Sequence, residues 1–161
     1  MKELIENALL KNYEKYYRLA YSYVENEADA LDIVQESAYK AMKRCENVKE
    51  EAYIETWLYR IVMNTSCDLL RRKKRLSECT YDEQAEPPAA GSDIGASLDV
   101  HNALQKLDER ERTIVVLRYF EDMKLEQVAA ITGENVNTTK SRLYRALRKL
   151  RAVMEGEGVY E

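Results

Sequence analysis

The chain has 161 residues, of which 45% are apolar, and a formal net charge of −4. This length suits one domain or two small ones, and the apolar fraction excludes wholesale disorder. No apolar run approaches the roughly 20 residues that cross a bilayer, and the first residues lack the apolar centre of a secretory signal. We therefore expect a globular protein of the cytoplasm.

The composition also argues against an enzyme or a metalloprotein. There is one histidine, and the three cysteines (Cys45, Cys67 and Cys79) are widely spaced, without a C-x-x-C pair. A metal site of the usual kinds would need a tighter group of ligands. The sequence contains neither a glycine-rich phosphate loop nor an elbow-type serine. We expect no catalytic residue, metal, cofactor or small-molecule substrate.

Proline and glycine are unevenly distributed and divide the chain into segments. Residues 1–75 contain neither, which favours long helices. Residues 76–98 hold both prolines, two glycines and five acidic but no basic side chains, a composition typical of a flexible linker. Helical periodicity resumes over residues 99–154, and residues 155–161 form a tail. The predicted fold is all-α: two small helical domains joined by a flexible acidic linker.

The first informative helix is "EADALDIVQESAYKAMKR". Its apolar residues recur at helical spacing and predict a core face: Leu31, Val34, Ala38, Ala41 and Met42. Its polar residues gather on another side: Asp29, Asp32, Gln35 and Glu36. An acidic, solvated face near a helix N-terminus would explain these carboxylates as well as a binding partner would.

The second informative helix is "YIETWLYRIVMNTSCDLLRRKKR". A core face is predicted at Leu58, Ile61, Val62 and Leu69, and a different face carries Trp57, Arg60, Asn64 and Cys67/Asp68. The helix ends in five consecutive basic residues, Arg71 to Arg75. Aromatic rings, an amide and cations together are typical of single-stranded or junction nucleic-acid binding. For each of Tyr53, Trp57 and Tyr59, a place in the core is an equal alternative.

The segment from Leu104 to Leu150 predicts a helix-turn-helix. One helix has its core side at Ile114, Val115 and Leu117 with Leu104, and the next at Leu125, Val128, Ala129 and Ile131. Gly133 suits the left-handed position that ends the second helix, and we expect Asn137 to cap the third. Two short helices around a glycine-bearing turn of this length form the helix-turn-helix pattern.

The third helix of this segment concentrates positive charge. "NVNTTKSRLYRALRKLR" has six basic and no acidic side chains. Helical projection puts the core face at Thr139, Leu143, Ala146, Leu147 and Leu150, and the opposite face at Thr138, Ser141, Arg142, Arg145, Arg148 and Lys149. A solvated basic face would be the ordinary explanation for a lone basic helix. The turn, the cap and the apolar spacing instead favour a recognition helix in a DNA major groove.

Three segments together resemble the extracytoplasmic-function sigma factors, the compact group of bacterial RNA polymerase sigma subunits. "DALDIVQESAYKA" is similar to the family's D-A-x-D-hydrophobic-hydrophobic-Q-E segment, "TWLYRIVMN" to its W-L-Y-R-I-x-x-N segment, and "TTKSRLYRALRKLR" to its T-V-K-S-R-L-x-R-A recognition helix. They occur in the family's order and span nearly the whole chain. The resemblance implies a transcription initiation factor that itself performs no chemistry.

The resemblance also implies roles for matching residues. The acidic stripe would dock on the clamp helices of the largest polymerase subunit through Asp29, Asp32, Gln35 and Glu36. The minus-10 element would be read and opened by Tyr53, Trp57, Arg60, Asn64, Arg71 and Arg72. The minus-35 element would be read by Thr138, Lys140, Ser141, Arg142, Arg145, Arg148 and Lys149. The implied partners are core RNA polymerase, promoter DNA and an anti-sigma factor, a class often anchored in the membrane, in a stress or envelope response.

Two other kinds of protein remain as alternatives. A stand-alone helix-turn-helix transcriptional regulator would bind its operator without polymerase. A helical interaction protein would use the basic face to bind an acidic protein. The helix that carries Trp57, Arg60 and the basic run argues against a stand-alone regulator. The face of hydroxyl and arginine side chains on the third helix of the helix-turn-helix argues against an interaction protein.

Overall fold

The computed structural model describes residues 1–80 and 95–155. The chain divides into two compact units, Met1–Glu83 and Gln84–Glu161. Every regular element within the described residues is helical, which confirms the predicted all-α class. In this described part of the chain, no helix has the length and hydropathy of a membrane span.

The N-terminal unit is built from long helices. They are α1 (Lys2–Lys11), α2 (Tyr13–Val24), α3 (Glu27–Lys43) and α4 (Ile54–Thr80), with short 3₁₀ turns at Cys45–Asn47 and Glu51–Tyr53. Because this stretch lacks the residues that most disfavour helix interiors, proline and glycine, long helices can form here. Helices α2, α3 and α4 pack against one another and enclose the core.

Two buried tyrosines lie at the centre of this core. The rings of Tyr16 and Tyr59 meet edge to face, with centroids 4.9 Å apart and an interplanar angle of 75°. This is one of the geometries that aromatic pairs prefer, because the positive edge of one ring faces the negative face of the other. Leu19, Ile33, Leu58 and Val62 of the same unit are also buried. Tyr59 is therefore a core residue, which decides one of the alternatives left open by the sequence.

Helix α3 begins at an N-terminal cap and buries one of its sides. Asn26 accepts a hydrogen bond from the backbone N–H of Asp29 at 2.8 Å, so the first turn is capped. The buried side of the helix carries Ala30, Ile33, Val34, Ser37 and Ala41. The predicted core position of Leu31 is wrong, since this side chain is 39% exposed. Leu31 lies about 100° round the helix from Ala30, and the core takes Ile33 in its place.

Helical structure enters the predicted linker from both sides. Helix α4 continues past the expected boundary at Arg75 and ends at Thr80. Helix α5 begins at Gly95, before the expected start at residue 99. Neither proline lies in the added part of α4, so nothing in its sequence forces an earlier stop. Residues 81–94 of the linker and 156–161 of the tail lie outside the described residues.

The C-terminal unit contains the helix-turn-helix. Its helices are α5 (Gly95–Leu104), α6 (Glu109–Val115), α7 (Leu125–Thr132) and α8 (Val136–Met154), and α6 continues as one π-helical turn over Val116–Phe120. A reciprocal capping box between Asp108 and Glu111 starts α6. The predicted core residues Leu104, Ile114, Val115 and Leu117 are all buried.

The turn between α7 and α8 is tighter than predicted. Gly133 has a φ of 78° and ends α7 in the left-handed conformation, as its sequence position predicted. The expected cap at Asn137 is wrong, because Asn135 caps α8 by accepting the N–H of Thr138 at 2.8 Å. Asn137 therefore lies in the first turn of the helix, with an exposed side chain. The predicted core face is confirmed at Thr139, Leu143 and Ala146, which are buried, while Leu147 and Leu150 are half-buried.

Candidate protein and nucleic-acid interfaces

The acidic stripe of α3 is only partly open to a partner. Asp32 and Gln35 are exposed, and Asp32 forms no ion pair with any described residue. Glu36 is exposed too, but it lies 3.2 Å from Lys40 and 4.0 Å from Arg72. A groove of about 430 Å³ runs beside the stripe between α3 and α4. The groove is lined by Asp32, Ile33, Gln35, Glu36, Tyr39, Thr65, Leu69 and Arg72.

The fourth residue of the predicted stripe, Asp29, has internal partners. Its carboxylate accepts hydrogen bonds from Lys73 and from Asn26, the second at 2.9 Å. Partial burial by itself would raise the pKa of Asp29, but these hydrogen bonds and the charge of Lys73 outweigh it and hold the pKa below its ordinary value. Asp29 thus joins the start of α3 to the basic end of α4, which is a structural role.

Helix α4 presents an aromatic and polar side. Trp57 and Arg60 are half-buried and Asn64 is exposed, one turn apart from each other along the helix. Arg60 donates a hydrogen bond to the hydroxyl of Tyr53 at 3.0 Å, and the Tyr53 ring is 39% exposed. The structure therefore brings Tyr53, Trp57, Arg60 and Asn64 to one surface, with rings for stacking and an amide for a base edge.

The basic run at the end of α4 is exposed, but several of its charges have acidic neighbours. Arg71 pairs with Asp68 at 2.8 Å, Arg72 approaches Glu36, and Lys73 pairs with Asp29. Exposed ion pairs of this kind are weak and exchange readily with other anions. Lys74 and Arg75 have no acidic partner among residues 1–80 and 95–155. Phosphate contacts from Arg71, Arg72 or Lys73 would have to displace these ion pairs.

The predicted recognition residues of α8 fall into two groups, which differ in whether they have internal partners. The first group is exposed, and none of its cations pairs with a described acidic residue: Lys140, Ser141, Arg145 and Arg148. Thr138 is half-buried beside them, at the capped first turn. The other group has internal partners: Arg142 with Glu134, and Lys149 with Glu111.

Two residues on this exposed side were missed by the sequence reasoning. The sequence pattern predicts Asn137 as the helix cap, and the helical projection does not include Tyr144 in the basic face. Both are exposed, Tyr144 by 53%, and they lie within one turn of Ser141. The Nζ atom of Lys140 lies 6.0 Å from the centre of the Tyr144 ring. A projection with the cap two residues earlier, at Asn135, would have placed Asn137 on the exposed face.

Comparison with known proteins identifies both domains. Two family models match the chain: "Sigma-70 region 2" over residues 9–76 and "Sigma-70, region 4" over residues 97–150. The chain is 45% identical over 157 residues to the RNA polymerase sigma factor SigV of Bacillus subtilis, covering 97% of this chain and 94% of SigV. The chain belongs to the extracytoplasmic-function sigma factors.

Other relatives extend the likeness of this sigma factor. It is 29% identical to the sigma factor SigW of Bacillus subtilis, covering 86% of this chain and 82% of SigW. The solved sigma factor RpoE from Bartonella quintana, crystallised with the anti-sigma factor NepR, shares its fold with a TM-score of 0.76. At 24% identity it covers 93% of this chain and 96% of that chain. Matches to both domains support a sigma factor rather than a stand-alone regulator.

A stability measurement tests the internal role of Lys149 in this sigma factor. The Lys149 ammonium lies 2.9 and 3.0 Å from the two carboxylate oxygens of Glu111, whose side chain is 1% exposed. Lys149→Ala would leave that buried carboxylate without its cation. We expect a loss of about 1–2 kcal/mol in the free energy of unfolding, below the ~3–5 kcal/mol of a fully buried pair because Lys149 is itself half exposed.

The matched control is Arg148→Ala, which removes an exposed cation one residue away and should change the unfolding free energy by less than about 0.5 kcal/mol. Urea denaturation of both variants gives the comparison. Equal stabilities would remove the structural role and leave Lys149 as a phosphate contact.

Proposed function

We propose that this sigma factor contacts core RNA polymerase through the exposed acidic stripe of α3, reads the minus-10 element with α4 and reads the minus-35 element with α8. As a family member it selects promoters for the polymerase. The polymerase carries out the chemistry, and the chain acts beside it in the cytoplasm as a non-enzymatic subunit. The observation that supports this best is the pairing of similarity to SigV over 97% of the chain with exposed or half-buried side chains at the matching motif positions.

The polymerase contact rests on Asp32, Gln35 and Glu36. Their side chains reach solvent from one side of a helix whose opposite side is buried, so they are held in place without being covered. Leu31 and Tyr39, 39% and 64% exposed, add apolar surface beside them. A surface of exposed carboxylates with apolar neighbours suits a basic protein partner. Asp29 is left out of this contact because Lys73 and Asn26 occupy its carboxylate.

The minus-10 contact rests on the side of α4 that holds Trp57, Arg60 and Asn64, with Tyr53 hydrogen-bonded to Arg60. Exposed rings stack on unpaired bases whatever their identity, and an amide can read a base edge. Arg71 and Arg72 lie further along the same helix and would hold phosphates after exchanging their acidic neighbours.

The minus-35 contact rests on α8. Its first two turns carry Asn137, Thr138 and Ser141, which suit base edges, and Arg145 and Arg148 follow at helical spacing. Lys140 adds a cation beside Tyr144. The N-terminal N–H groups of the helix also favour a phosphate, since they carry partial positive charge. Lys149 is a weaker candidate because Glu111 holds it.

We further propose that an anti-sigma factor holds this protein until a stress or envelope signal releases it. The Bartonella quintana relative in fold is a complex with such a partner. A partner of this kind would have to cover the surfaces that polymerase and DNA use. The genomic neighbourhood offers a quick check, since anti-sigma factors are often encoded beside their sigma factor as small membrane-anchored proteins.

Transcription with purified core polymerase tests the proposal directly. We expect the isolated chain to bind promoter DNA weakly and the reconstituted holoenzyme to initiate at one class of promoter. The two DNA-reading surfaces lie on separate compact units, and the linker predicted from the sequence gives them no set spacing until polymerase orders them. Tight, sequence-specific binding by the chain alone, without stimulation of polymerase, would contradict the proposal.

A further inference from the structure

An acidic residue, Glu134, lies inside the basic recognition surface. It follows Gly133 at the end of α7 and precedes Asn135, the cap of α8, so it forms the middle of the turn. Its side chain is 18% exposed. A carboxylate so close to a DNA-binding helix repels phosphates and by itself weakens DNA binding. Its contacts with two arginines indicate a role that offsets this loss.

Glu134 contacts the guanidinium groups of Arg142 and Arg110. Arg142 donates a hydrogen bond from Nε to Oε2 of Glu134 at 3.2 Å, and the same Nε lies 3.1 Å from Oε1. Arg110 approaches the carboxylate to 4.0 Å and donates from Nη1 to the backbone oxygen of Thr132 at 2.9 Å. Glu134 therefore connects α6, the turn and α8 through two guanidinium groups.

The way in which Arg142 is held determines what it can offer to DNA. A guanidinium has five N–H donors in a planar fork, and the contact with Glu134 engages Nε alone. Within the described part of the chain, no acceptor hydrogen-bonds the two Nη groups of Arg142. The outer edge formed by two Nη groups is one that can bind guanine O6 and N7 together. The side chain is 30% exposed, so it is anchored at one edge and open at another.

We propose that Glu134 is a positioning residue that fixes the guanidinium of Arg142 for base reading and so helps to determine promoter specificity. This inference rests on the proposed reading of the minus-35 element by α8. A restrained arginine loses less conformational entropy on binding than a free one, and it presents its donors in one orientation. The carboxylate thus reduces general attraction to DNA while increasing discrimination between sequences.

The opposite interpretation is that Glu134 sequesters Arg142 and keeps it from DNA. The two interpretations predict opposite signs. Removing a sequestering carboxylate strengthens binding to the preferred promoter. Removing a positioning carboxylate weakens binding to the preferred promoter, although the change makes the surface more positive.

The experiment uses full-length protein reconstituted with core polymerase, on promoters with the preferred and with a scrambled minus-35 element, at one salt concentration. We expect Glu134→Ala to reduce the ratio of the two affinities about tenfold, with the loss on the preferred sequence and none on the scrambled one. Glu134→Gln keeps an acceptor oxygen and should retain part of the ratio. This partial rescue also serves if the alanine variant folds poorly. Glu126→Ala, which removes an exposed acid of α7 that pairs with no residue in the described ranges, is the charge-matched control and should leave the ratio unchanged.

Combination with Arg142→Ala makes the test specific. Glu134→Ala should reduce the ratio no further when Arg142 is already alanine, because a positioning residue acts through the arginine. Tighter binding of Glu134→Ala to the preferred promoter, or an unchanged ratio while Arg142→Ala loses discrimination, would overturn the positioning role alone. If Arg142→Ala itself kept full discrimination, both the positioning role and the assignment of Arg142 to base reading would be overturned.

Discussion

Reversing the charges of Asp32 and Glu36 together should weaken the association of this sigma factor with core RNA polymerase by at least about tenfold, and transcription from its promoters should fall accordingly. Both side chains reach solvent on α3, and lysines there would face a basic partner, where like charges cost several kcal/mol. The fold should tolerate the change. Glu36 gives up only exposed contacts with Lys40 and Arg72, each worth about 0.2–1 kcal/mol.

Titration of labelled core enzyme with the Asp32→Lys/Glu36→Lys variant measures the effect, and circular dichroism checks that the helices remain. The control is Glu3→Lys/Glu6→Lys, which changes the net charge equally on exposed positions of α1. If the control loses affinity as strongly as the α3 variant, net charge and not the stripe governs association. Retained affinity in the folded α3 variant would contradict the docking assignment.

Arg142→Ala should cost on the order of 1–3 kcal/mol in promoter binding when the minus-35 element has the preferred sequence, and much less when it is scrambled. Arg142 lies in the second turn of α8, where a helix set into a major groove approaches base edges, and Glu134 holds its side chain in place. Arg148 lies further along the helix, exposed and unpaired within the described residues. We expect Arg148→Ala to weaken both promoters by similar factors and to lower the salt dependence by about one counterion.

The measurement is promoter binding by reconstituted holoenzyme over a salt series, on both sequences and with both variants. Arg148→Ala is the matched control, because it removes the same side chain from the same helix. Equal losses on the two sequences for Arg142→Ala would mean that this arginine contacts only phosphate. Base reading would then rest on the exposed residues of the first two turns, Asn137 and Ser141.

The helices and the turn of this protein follow from local patterns in the sequence. The absence of proline and glycine from residues 1–75 predicted long helices, and Gly133 predicted the end of α7, because each acts through the backbone of its own neighbourhood. The cap of α8 was misplaced by two residues, at Asn137 instead of Asn135. Either asparagine can cap a helix, and only the backbone path of the turn selects one.

Burial was predictable where a single apolar stripe stands out on a helix, and not where several apolar residues lie close together along it. Thr139, Leu143 and Ala146 of α8 face the core as predicted, because they repeat at helical spacing along one stripe. On α3, which packs against both α2 and α4, the core takes Ile33 and leaves Leu31 exposed. Tyr53 and Tyr59 show the same limit. Their residue type suits core and surface equally, and the edge-to-face contact with Tyr16 assigns Tyr59 to the core.

The sequence by itself determined the all-α class, the sigma-factor family and the faces that carry charge, because composition, motif order and helical period are properties of the chain. Only the tertiary structure decided which charged side chains have internal partners and which are open to a binding partner. Asp29 is held by Lys73, Lys149 by Glu111, and Arg142 by Glu134. In the first two pairs the partners lie far apart in the sequence, and in the third Glu134 lies in the turn just before α8, which carries Arg142. Helical period gives the direction of a side chain and not its neighbour, so such pairs form only when the helices pack.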